Sequence, residues 1–343
     1  MLKLAHIITK SEIGGAQTWV KDQISLFDNV FDNYIITNNP GWLTDGVNVS
    51  DVLFCKGMDS GFSIRILLKI LDFIKKNEVS VIVASSANAG VYARLISIFY
   101  DCRVIYVSHG WSCIYNGGNL SLIFCLVERA LSFLTDKVVC VSKKDKYNAI
   151  NVIGINSRKV VYIRNCVFPR SIIKSDLDDS RFKILFLGRL DEPKRPELLI
   201  EAVKYYPNVS LDIVGDGPLK EICNKYDNIN FLGAIEDFND FSNYDLFALI
   251  SDSEGMPMSA LEAASAGIPL LLSNVGGCSE LITGNGALVE NDVDAIKQKI
   301  EFIIKNYMDF KCEALRCSED FDINKAFNRY KELYLGCEVD NNE

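Results

Sequence analysis

The sequence predicts an α/β protein made of two doubly wound domains, each built on a parallel β-sheet. Its 343 residues are too many for one ordinary core and suit two domains of about 160 residues each. Apolar residues make up 49% of the chain, which is enough for two packed cores. Short apolar runs alternate with stretches of helical period along both halves, as in β-α-β units with right-handed crossovers.

The elements follow one another in this alternating order. In the first half, short apolar runs predict strands at residues 3–8, 34–37, 79–84, 104–108, 138–142 and 160–164, and helical patterns lie at 17–27, 64–77 and 87–99. In the second half, strands are predicted at 182–187, 211–214, 229–232, 245–250 and 269–273, with helices at 219–226 and 258–266. We therefore expect an N-terminal domain at 1–165, a linker at 166–180, a C-terminal domain at 181–320 and a last helix at 321–337.

Composition excludes several classes of protein. The 11 cysteines are scattered and form no C-x-x-C pair, so we expect free thiols in a reducing cytoplasm. Two histidines at these spacings build no metal site, and we expect neither a metal nor a cofactor. A sequence pI near 5.0 disfavours nucleic acid, and the lack of G-x-G-x-x-G disfavours a dehydrogenase.

Charge and hydropathy differ between the two halves. Residues 1–166 carry 18 Lys and Arg against 13 Asp and Glu, a net charge of +5, whereas residues 167–343 carry 18 against 32, a net charge of −14. Residues 62–77 and 120–134 are unusually apolar helical stretches, but neither reaches the 18 or so residues that span a bilayer. We interpret them as helices that pack on a core, with contact at an anionic membrane surface as the alternative.

The most informative stretch is 251–262, which places Glu254 and Glu262 eight positions apart across a junction from loop to helix. The strand at 245–250 precedes it, and Pro257 suits the first turn of the helix that follows. The unpaired N–H groups of a helix N-terminus can hold a phosphate. Gly255 lets the backbone approach a ligand closely, so the amides from Gly255 through Met256 to Met258 are candidate phosphate donors. Carboxylates on either side could accept hydrogen bonds from sugar and ribose hydroxyls.

A second loop adds positive charge at the same edge of the predicted sheet. Gly188, Arg189 and Lys194 follow the strand at 182–187. Arginine can bind a diphosphate with two hydrogen bonds, and lysine adds a point charge. Together, the two cations could neutralise a diphosphate leaving group without a metal.

The N-terminal half offers two further candidates. Gly14 and Gly15 follow the first strand, where the backbone can approach a ligand at the carboxyl edge of a sheet. His109 follows the strand at 104–108 and could hydrogen-bond a sugar hydroxyl or balance charge at the leaving oxygen. His6 lies inside the first strand and is expected in the core.

The stretch from Glu254 to Glu262 resembles the Glu-x7-Glu signature of glycosyltransferase family 4, retaining enzymes with two Rossmann-like domains facing across a cleft, the GT-B fold. The resemblance implies that Glu254 faces the donor sugar and Glu262 the ribose. It also implies that Arg189 and Lys194 bind the diphosphate.

The same resemblance extends to other positions of the chain. It implies that Gly14 and Gly15 contact the diphosphate, that His109 lies near the transferred sugar and that backbone near Ile235 holds the nucleobase. Arg195 stands where the family usually has glycine, so that turn differs and its side chain could itself reach phosphate.

The resemblance implies transfer from a nucleoside diphosphate sugar, UDP or GDP, to a glycan acceptor. From the charge asymmetry and the apolar helices we expect a lipid-linked saccharide of a surface polysaccharide, and a cytoplasmic enzyme that can contact the inner face of the membrane. Two alternatives stay open: a sugar-nucleotide epimerase of the same fold, and a GT-B pair kept for binding or scaffolding.

Overall fold

The computed structural model describes residues 1–115, 118–172, 181–222 and 226–339, and they form two compact units. Unit 1 holds Met1–Arg164 together with the C-terminal segment that begins at Asn324. Unit 2 holds Asn165–Ile323. Residues 166–172, which begin the predicted linker, therefore belong to unit 2, as does Asn165, and the remainder of that linker, 173–180, lies outside the described residues.

Unit 1 is a seven-stranded parallel sheet with the order β3-β2-β1-β4-β5-β6-β7. Its strands are β1 (Leu2–Ile7), β2 (Phe31–Thr37), β3 (Asp51–Phe54), β4 (Val81–Ala84), β5 (Arg103–Ser108), β6 (Lys137–Cys140) and β7 (Val160–Tyr162). Its helices before the crossing to unit 2 are α1 (Gly15–Leu26), α2 (Trp42–Asp45), α3 (Ile64–Lys76), α4 (Ala87–Ile96), α5 (Ser112–Tyr115), α6 (Ser121–Leu131) and α7 (Lys143–Tyr147). The central strands are buried except at the first residues of β1 and β5, as expected for a sheet covered on both faces.

Unit 2 repeats this plan with six parallel strands in the order β10-β9-β8-β11-β12-β13. The strands are β8 (Phe182–Leu187), β9 (Val209–Val214), β10 (Ile229–Gly233), β11 (Leu246–Leu249), β12 (Leu270–Ser273) and β13 (Gly286–Val289). The helices are α8 (Pro196–Val203), α9 (Met258–Ser265), α10 (Val293–Lys305) and α11 (Tyr307–Cys317), and α12 (Phe327–Leu335) follows in unit 1. Two doubly wound parallel sheets confirm the predicted fold class.

Some predicted elements differ from the structure. Strands β3 and β13 were not predicted. The α-helix predicted at 219–226 is wrong at its start, where a 3₁₀ helix runs from Pro218 to Ile222, and 223–225 lie outside the described residues. The last helix also begins later than predicted, because two short 3₁₀ turns occupy the residues before Phe327.

Helix α12 packs within unit 1, against α1. The ring of Phe327 stacks on Phe27 with centroids 4.9 Å apart. The Tyr334 hydroxyl donates to the side-chain oxygen of Gln23 at 2.8 Å, and both residues are buried. Helix α12 is thus part of the core of unit 1. Among the described residues, none of the helices is both long and apolar enough to cross a bilayer.

Candidate active site

The donor-site residues predicted in the second half lie at the carboxyl edge of the unit 2 sheet. In the order β10-β9-β8-β11-β12-β13, strands β8 and β11 are parallel neighbours. From β8 the next strands in sequence are added toward one edge of the sheet, and from β11 they are added toward the other. Ligands of doubly wound sheets bind outside the carboxyl ends of the strands at this switch point. The loop after β8 carries Arg189 and Lys194, and the loop after β11 carries Glu254.

Lys194 and Glu254 form an ion pair across this switch point, with Nζ of the lysine donating to Oε1 of the glutamate. The lysine side chain is 14% exposed and the glutamate side chain 10% exposed. Backbone contacts hold the two loops together, because Asp252 N donates to Pro193 O at 2.9 Å and Arg195 N donates to Ile250 O at 2.9 Å. Two residues 60 positions apart in sequence are therefore held in one site.

The loop after β12 packs against the loop that carries Glu254. Gly277 N donates to Gly255 O at 2.7 Å. The thiol of Cys278 is buried, and its pKa is raised by that burial and further by the charge of Glu254, while Lys194 acts to lower it. The turn that begins at Gly276 and Gly277 therefore lies against the carboxylate loop.

Glu262 lies in the second turn of α9 and forms an ion pair with Arg170, whose Nη2 donates to Oε1. Burial raises the pKa of the Glu262 carboxyl, Arg170 lowers it, and Asp237 raises it. Asp237 follows the exposed residue Ile235 on the loop after β10, so that loop lies near Glu262. The structure thus brings together the glutamate and the loop that the resemblance associates with ribose and nucleobase.

Helix α9 begins at Met258, with Pro257 just before its first turn rather than inside it. Met256, Pro257 and Met258 are buried, so Met256 and Met258 could contribute to a ligand through backbone N–H groups, and Pro257, which has no N–H, only through packing. Glu254 precedes this N-terminus and Glu262 lies one helical turn beyond it. The two carboxylates flank the start of the helix, as the spacing predicted.

The two arginines of the β8 loop differ in their surroundings. Arg189 is exposed, and its side chain makes no hydrogen bond or ion pair with another described residue. The Arg195 guanidinium binds both oxygens of Asp252 through Nη1, at 3.1 and 2.9 Å, and also pairs with Glu197. Arg195 therefore joins the two loops, whereas Arg189 presents its charge to solvent.

The candidates of the first half lie at the carboxyl edge of the unit 1 sheet. Gly14 precedes the first turn of α1 and Gly15 opens it, following β1. The His109 ring packs edge-on against Trp19, with centroids 5.2 Å apart. Burial lowers the pKa of His109 to about 4, so the ring is neutral near pH 7. No hydrogen-bond partner of its buried Nε2 is found in the described part of the chain.

Sequence reasoning missed Arg170, which was assigned to the linker, and the contact between the Gly276 turn and Glu254. Neither carries a local signal, because each is a contact between distant parts of the chain. Gly14, Gly15 and His109 lie in unit 1, and the remaining predicted site residues lie in unit 2. Over the described ranges, no cluster of three or more His, Cys, Asp or Glu side chains could hold a metal ion.

Known proteins share this fold and these motifs. Residues 167–318 match the family model for glycosyl transferases group 1, and residues 13–170 match that for glycosyltransferase family 4. The O-antigen biosynthesis glycosyltransferase WbnH of Escherichia coli is 47% identical over 342 residues, covering 98% of this chain and 100% of the relative. The molecule is a GT-B glycosyltransferase. The chain belongs to glycosyltransferase family 4, in group 1.

More distant proteins share its full length. The UDP-Gal:alpha-D-GlcNAc-diphosphoundecaprenol alpha-1,3-galactosyltransferase of Escherichia coli is 26% identical over 375 residues, covering 97% of each chain. The crystal structure of Anabaena Alr3699/HepE in complex with UDP and glucose superposes with a TM-score of 0.82 at 18% identity, covering 97% of this chain and 99% of that one.

Proposed function

We propose that this glycosyltransferase moves a sugar from a nucleoside diphosphate sugar to a hydroxyl of a lipid-linked saccharide during assembly of O-antigen. We favour a UDP-sugar over a GDP-sugar as the donor. Two relatives support the proposal, one named for O-antigen biosynthesis and one for transfer of galactose from UDP-Gal to a diphosphoundecaprenol-linked acceptor. Structures similar in fold contain UDP with glucose, or UDP-glucose.

The observation that carries the proposal is the arrangement of charges at the switch point of unit 2. Each of the two glutamates is tied through one oxygen to a cation, Glu254 to Lys194 and Glu262 to Arg170. Arg189 adds an exposed cation on the β8 loop. A donor needs such a set: cations for the diphosphate, one carboxylate for the sugar hydroxyls and another for the ribose hydroxyls.

These groups can promote transfer by positioning the donor and stabilising the departing diphosphate. In the proposed front-face reaction, the bond between the anomeric carbon and the diphosphate oxygen breaks. The acceptor oxygen then bonds to the same face of that carbon, with retention of configuration. The acceptor proton passes to the leaving diphosphate oxygen. Arg189 and Lys194 balance the negative charge that develops there.

We also propose roles for three residues of unit 1, as the family resemblance implies. A neutral His109 can hydrogen-bond a hydroxyl of the transferred sugar through its buried Nε2. The backbone at Gly14 and Gly15, at the start of α1, can contribute N–H groups to the diphosphate. Because protein cations and amides neutralise the leaving group, we propose that turnover needs no metal ion and continues in excess EDTA.

The acceptor proposal is supported by helix α6, which exposes its apolar face. Cys125 and Glu128 are its buried side chains, and Glu128 pairs with the buried guanidinium of Arg94. Leu122 is 81% exposed and Leu126 is 63% exposed. A helix that buries a charge and exposes large apolar side chains is suited to contact with lipid. We therefore propose that this face of unit 1 lies on the inner surface of the cytoplasmic membrane.

The donor site is tested by titrating UDP and GDP into wild-type protein, Glu254→Gln and Glu262→Gln. We expect Glu262→Gln to weaken binding of the bare nucleotide, on the order of tenfold for one charge-assisted hydrogen bond. Glu254→Gln should leave nucleotide binding nearly unchanged and reduce sugar transfer. Equal losses of nucleotide affinity in the two variants would contradict the assigned roles.

An assay of turnover distinguishes the transferase from the two alternative functions, an epimerase and a binding or scaffolding protein. Slow release of nucleoside diphosphate from one sugar nucleotide, lost in Glu254→Ala and Arg189→Ala, would support the transferase. Conversion of the sugar nucleotide to its epimer would support the epimerase. Binding without turnover, with or without a lipid-linked acceptor, would support the scaffold.

The membrane face is tested by sedimentation with vesicles of phosphatidylglycerol and of phosphatidylcholine. We expect wild-type protein to sediment with the anionic vesicles and Leu122→Ser with Leu126→Ser to abolish this. Leu335→Ser, which changes a residue of unit 1 that is 52% exposed on α12, is the matched control. Equal sedimentation of all three proteins would contradict the role of α6.

A further inference from the structure

The segment that enters unit 2 is fixed along helix α9. The Asn165 side-chain amide, which is buried, donates to the sulfur of Met258 at 3.0 Å. Val167 N donates to Phe321 O at 2.9 Å, and Ile323 N donates to Val167 O at 2.9 Å. These contacts hold the backbone on both sides of Val167, so that the side chain of Arg170 is presented to α9 from an anchored segment.

Arg170 contacts the carboxylate of Glu262 through one oxygen only. The arginine side chain is 23% exposed and the glutamate side chain is 13% exposed. Within the described residues, the second oxygen of Glu262, Oε2, has no hydrogen-bond partner, and Arg170 Nε is a buried donor with none. One oxygen is thus held, and the other remains available to a hydroxyl group.

We propose that Arg170 is a positioning residue, which orients Glu262 and keeps it ionised so that Oε2 can accept a hydrogen bond from the ribose of the donor nucleotide. The proposal rests on the donor assignment made above. A carboxylate that is mostly buried needs a partner charge to stay ionised, and removing the partner leaves an uncompensated buried charge or favours protonation.

The charges around Glu262 make this testable through pH. Arg170 faces it from the anchored segment, and Asp237 faces it from the loop after β10. Burial and Asp237 both raise the pKa of Glu262, and Arg170 opposes them. Without Arg170 the carboxyl would take up a proton at higher pH, and a protonated Glu262 accepts hydrogen bonds from hydroxyls more weakly.

The experiment measures the dissociation constant of UDP by titration calorimetry between pH 5.5 and 8.5. The variants are Arg170→Gln, Arg170→Lys, Glu262→Gln and the double variant Arg170→Gln with Glu262→Gln. Each constant is divided by the wild-type value at the same pH, which cancels the titration of UDP itself. GDP is used in the same way if UDP does not bind.

We expect Arg170→Gln to weaken UDP binding on the order of tenfold at pH 6 and progressively less at higher pH. Arg170→Lys should restore most of the affinity, because it retains the charge. The double variant should bind no more weakly than Glu262→Gln alone, since Arg170 acts through that glutamate. The Michaelis constant for the donor should rise more than the turnover number falls.

Four outcomes would overturn the proposal. A loss in Arg170→Gln that is equal at every pH, or one that adds fully to that of Glu262→Gln, would show that Arg170 acts independently of the carboxylate. An unchanged affinity in Arg170→Gln would show that it has no role in nucleotide binding. Failure of wild-type protein to bind either UDP or GDP would overturn the donor assignment as well, which distinguishes that failure from the first three outcomes.

Discussion

The carbonyl oxygen of Glu254 lies 1.7 Å from the position that a Cβ atom would occupy on Gly276. Gly276 has a φ of +52°, in the left-handed region. Both the conformation and the space at this position therefore require glycine. The backbone of the Glu254 loop rests directly on this turn, so the position of the carboxylate depends on a residue of a different loop.

We predict that Gly276→Ala displaces the Glu254 loop and lowers the rate of sugar transfer on the order of tenfold or more, since small displacements of positioning groups are costly. Thermal unfolding and the transfer rate are measured together. Gly57→Ala is the control, because Gly57 also has a positive φ, +89°, but a Cβ atom there meets nothing within 4 Å. Equal transfer rates in the two variants would contradict this role of Gly276.

The sequence predicted elements whose signal is local. Strand β11 and the helix that begins at Met258 are read from neighbouring residues, and the structure confirms them, with Pro257 one position before the helix rather than in its first turn. Strand β3 was missed because it is an edge strand with half-exposed and exposed positions, which weakens its apolar pattern. Strand β13 was missed because it begins with Gly286, a residue depleted in strands.

Part of the donor site was predicted, because that part also has a local signal in the sequence. The predicted residues stand in short motifs that follow strands β8 and β11, and their chemistry indicates a site for a diphosphate and diols. They are Arg189, Lys194, Glu254 and Glu262. The partner of Glu262 could not be found this way, because Arg170 is 92 positions away in sequence. Its contact depends on how the segment after Arg164 folds against α9.

We predict that Arg195→Ala affects stability more than nucleotide binding. Arg195 binds Asp252 through two hydrogen bonds, and Asp252 also accepts from the Asn291 side chain at 2.7 Å. Removal of the guanidinium should lower the melting temperature and change the UDP dissociation constant less than twofold. Lys194→Ala is the comparison, and it should weaken UDP binding on the order of tenfold. A loss of UDP affinity in Arg195→Ala as large as in Lys194→Ala would show that Arg195 reaches the phosphate.

We predict that Arg94 and Glu128 are strongly coupled in stability. The Arg94 guanidinium is fully buried, donates to Glu128 at 2.9 Å and to Thr135 at 2.9 Å, and packs on the Tyr106 ring at 4.1 Å. Breaking a buried pair from one side leaves an unpaired buried charge and costs about 3–5 kcal/mol. Arg94→Met and Glu128→Leu should each lower the free energy of unfolding by about this amount.

The double variant is the diagnostic measurement for this pair. Arg94→Met with Glu128→Leu should be clearly more stable than the sum of the single changes indicates, because neither charge is then left alone. Arg316→Met, which breaks the exposed pair with Glu313, should leave the free energy of unfolding unchanged within error. Additive losses at Arg94 and Glu128 would contradict the coupling. Denaturant unfolding supplies all of these values.

We predict that the protein loses stability as the pH falls below 6.5, before most carboxylates titrate. Burial lowers the pKa of His6 to about 3 and that of His109 to about 4, both below the value of 6.5 for an unfolded chain. Below pH 6.5 the unfolded chain therefore binds more protons than the folded protein, and the free energy of unfolding decreases as the pH is lowered. The decrease approaches about 1.4 kcal/mol per pH unit for each histidine.

Denaturant unfolding of wild-type protein and of His6→Gln between pH 5 and 7 measures this slope. The slope is compared rather than the stability itself, since His6 is buried in β1 and its replacement lowers stability at every pH. Removing one of the two titrating histidines should reduce the slope by about half near pH 6, where unfolded histidines titrate and carboxylates contribute less than they do at pH 5. Equal slopes in the two proteins would mean that His6 is protonated as readily in the folded protein as in the unfolded chain.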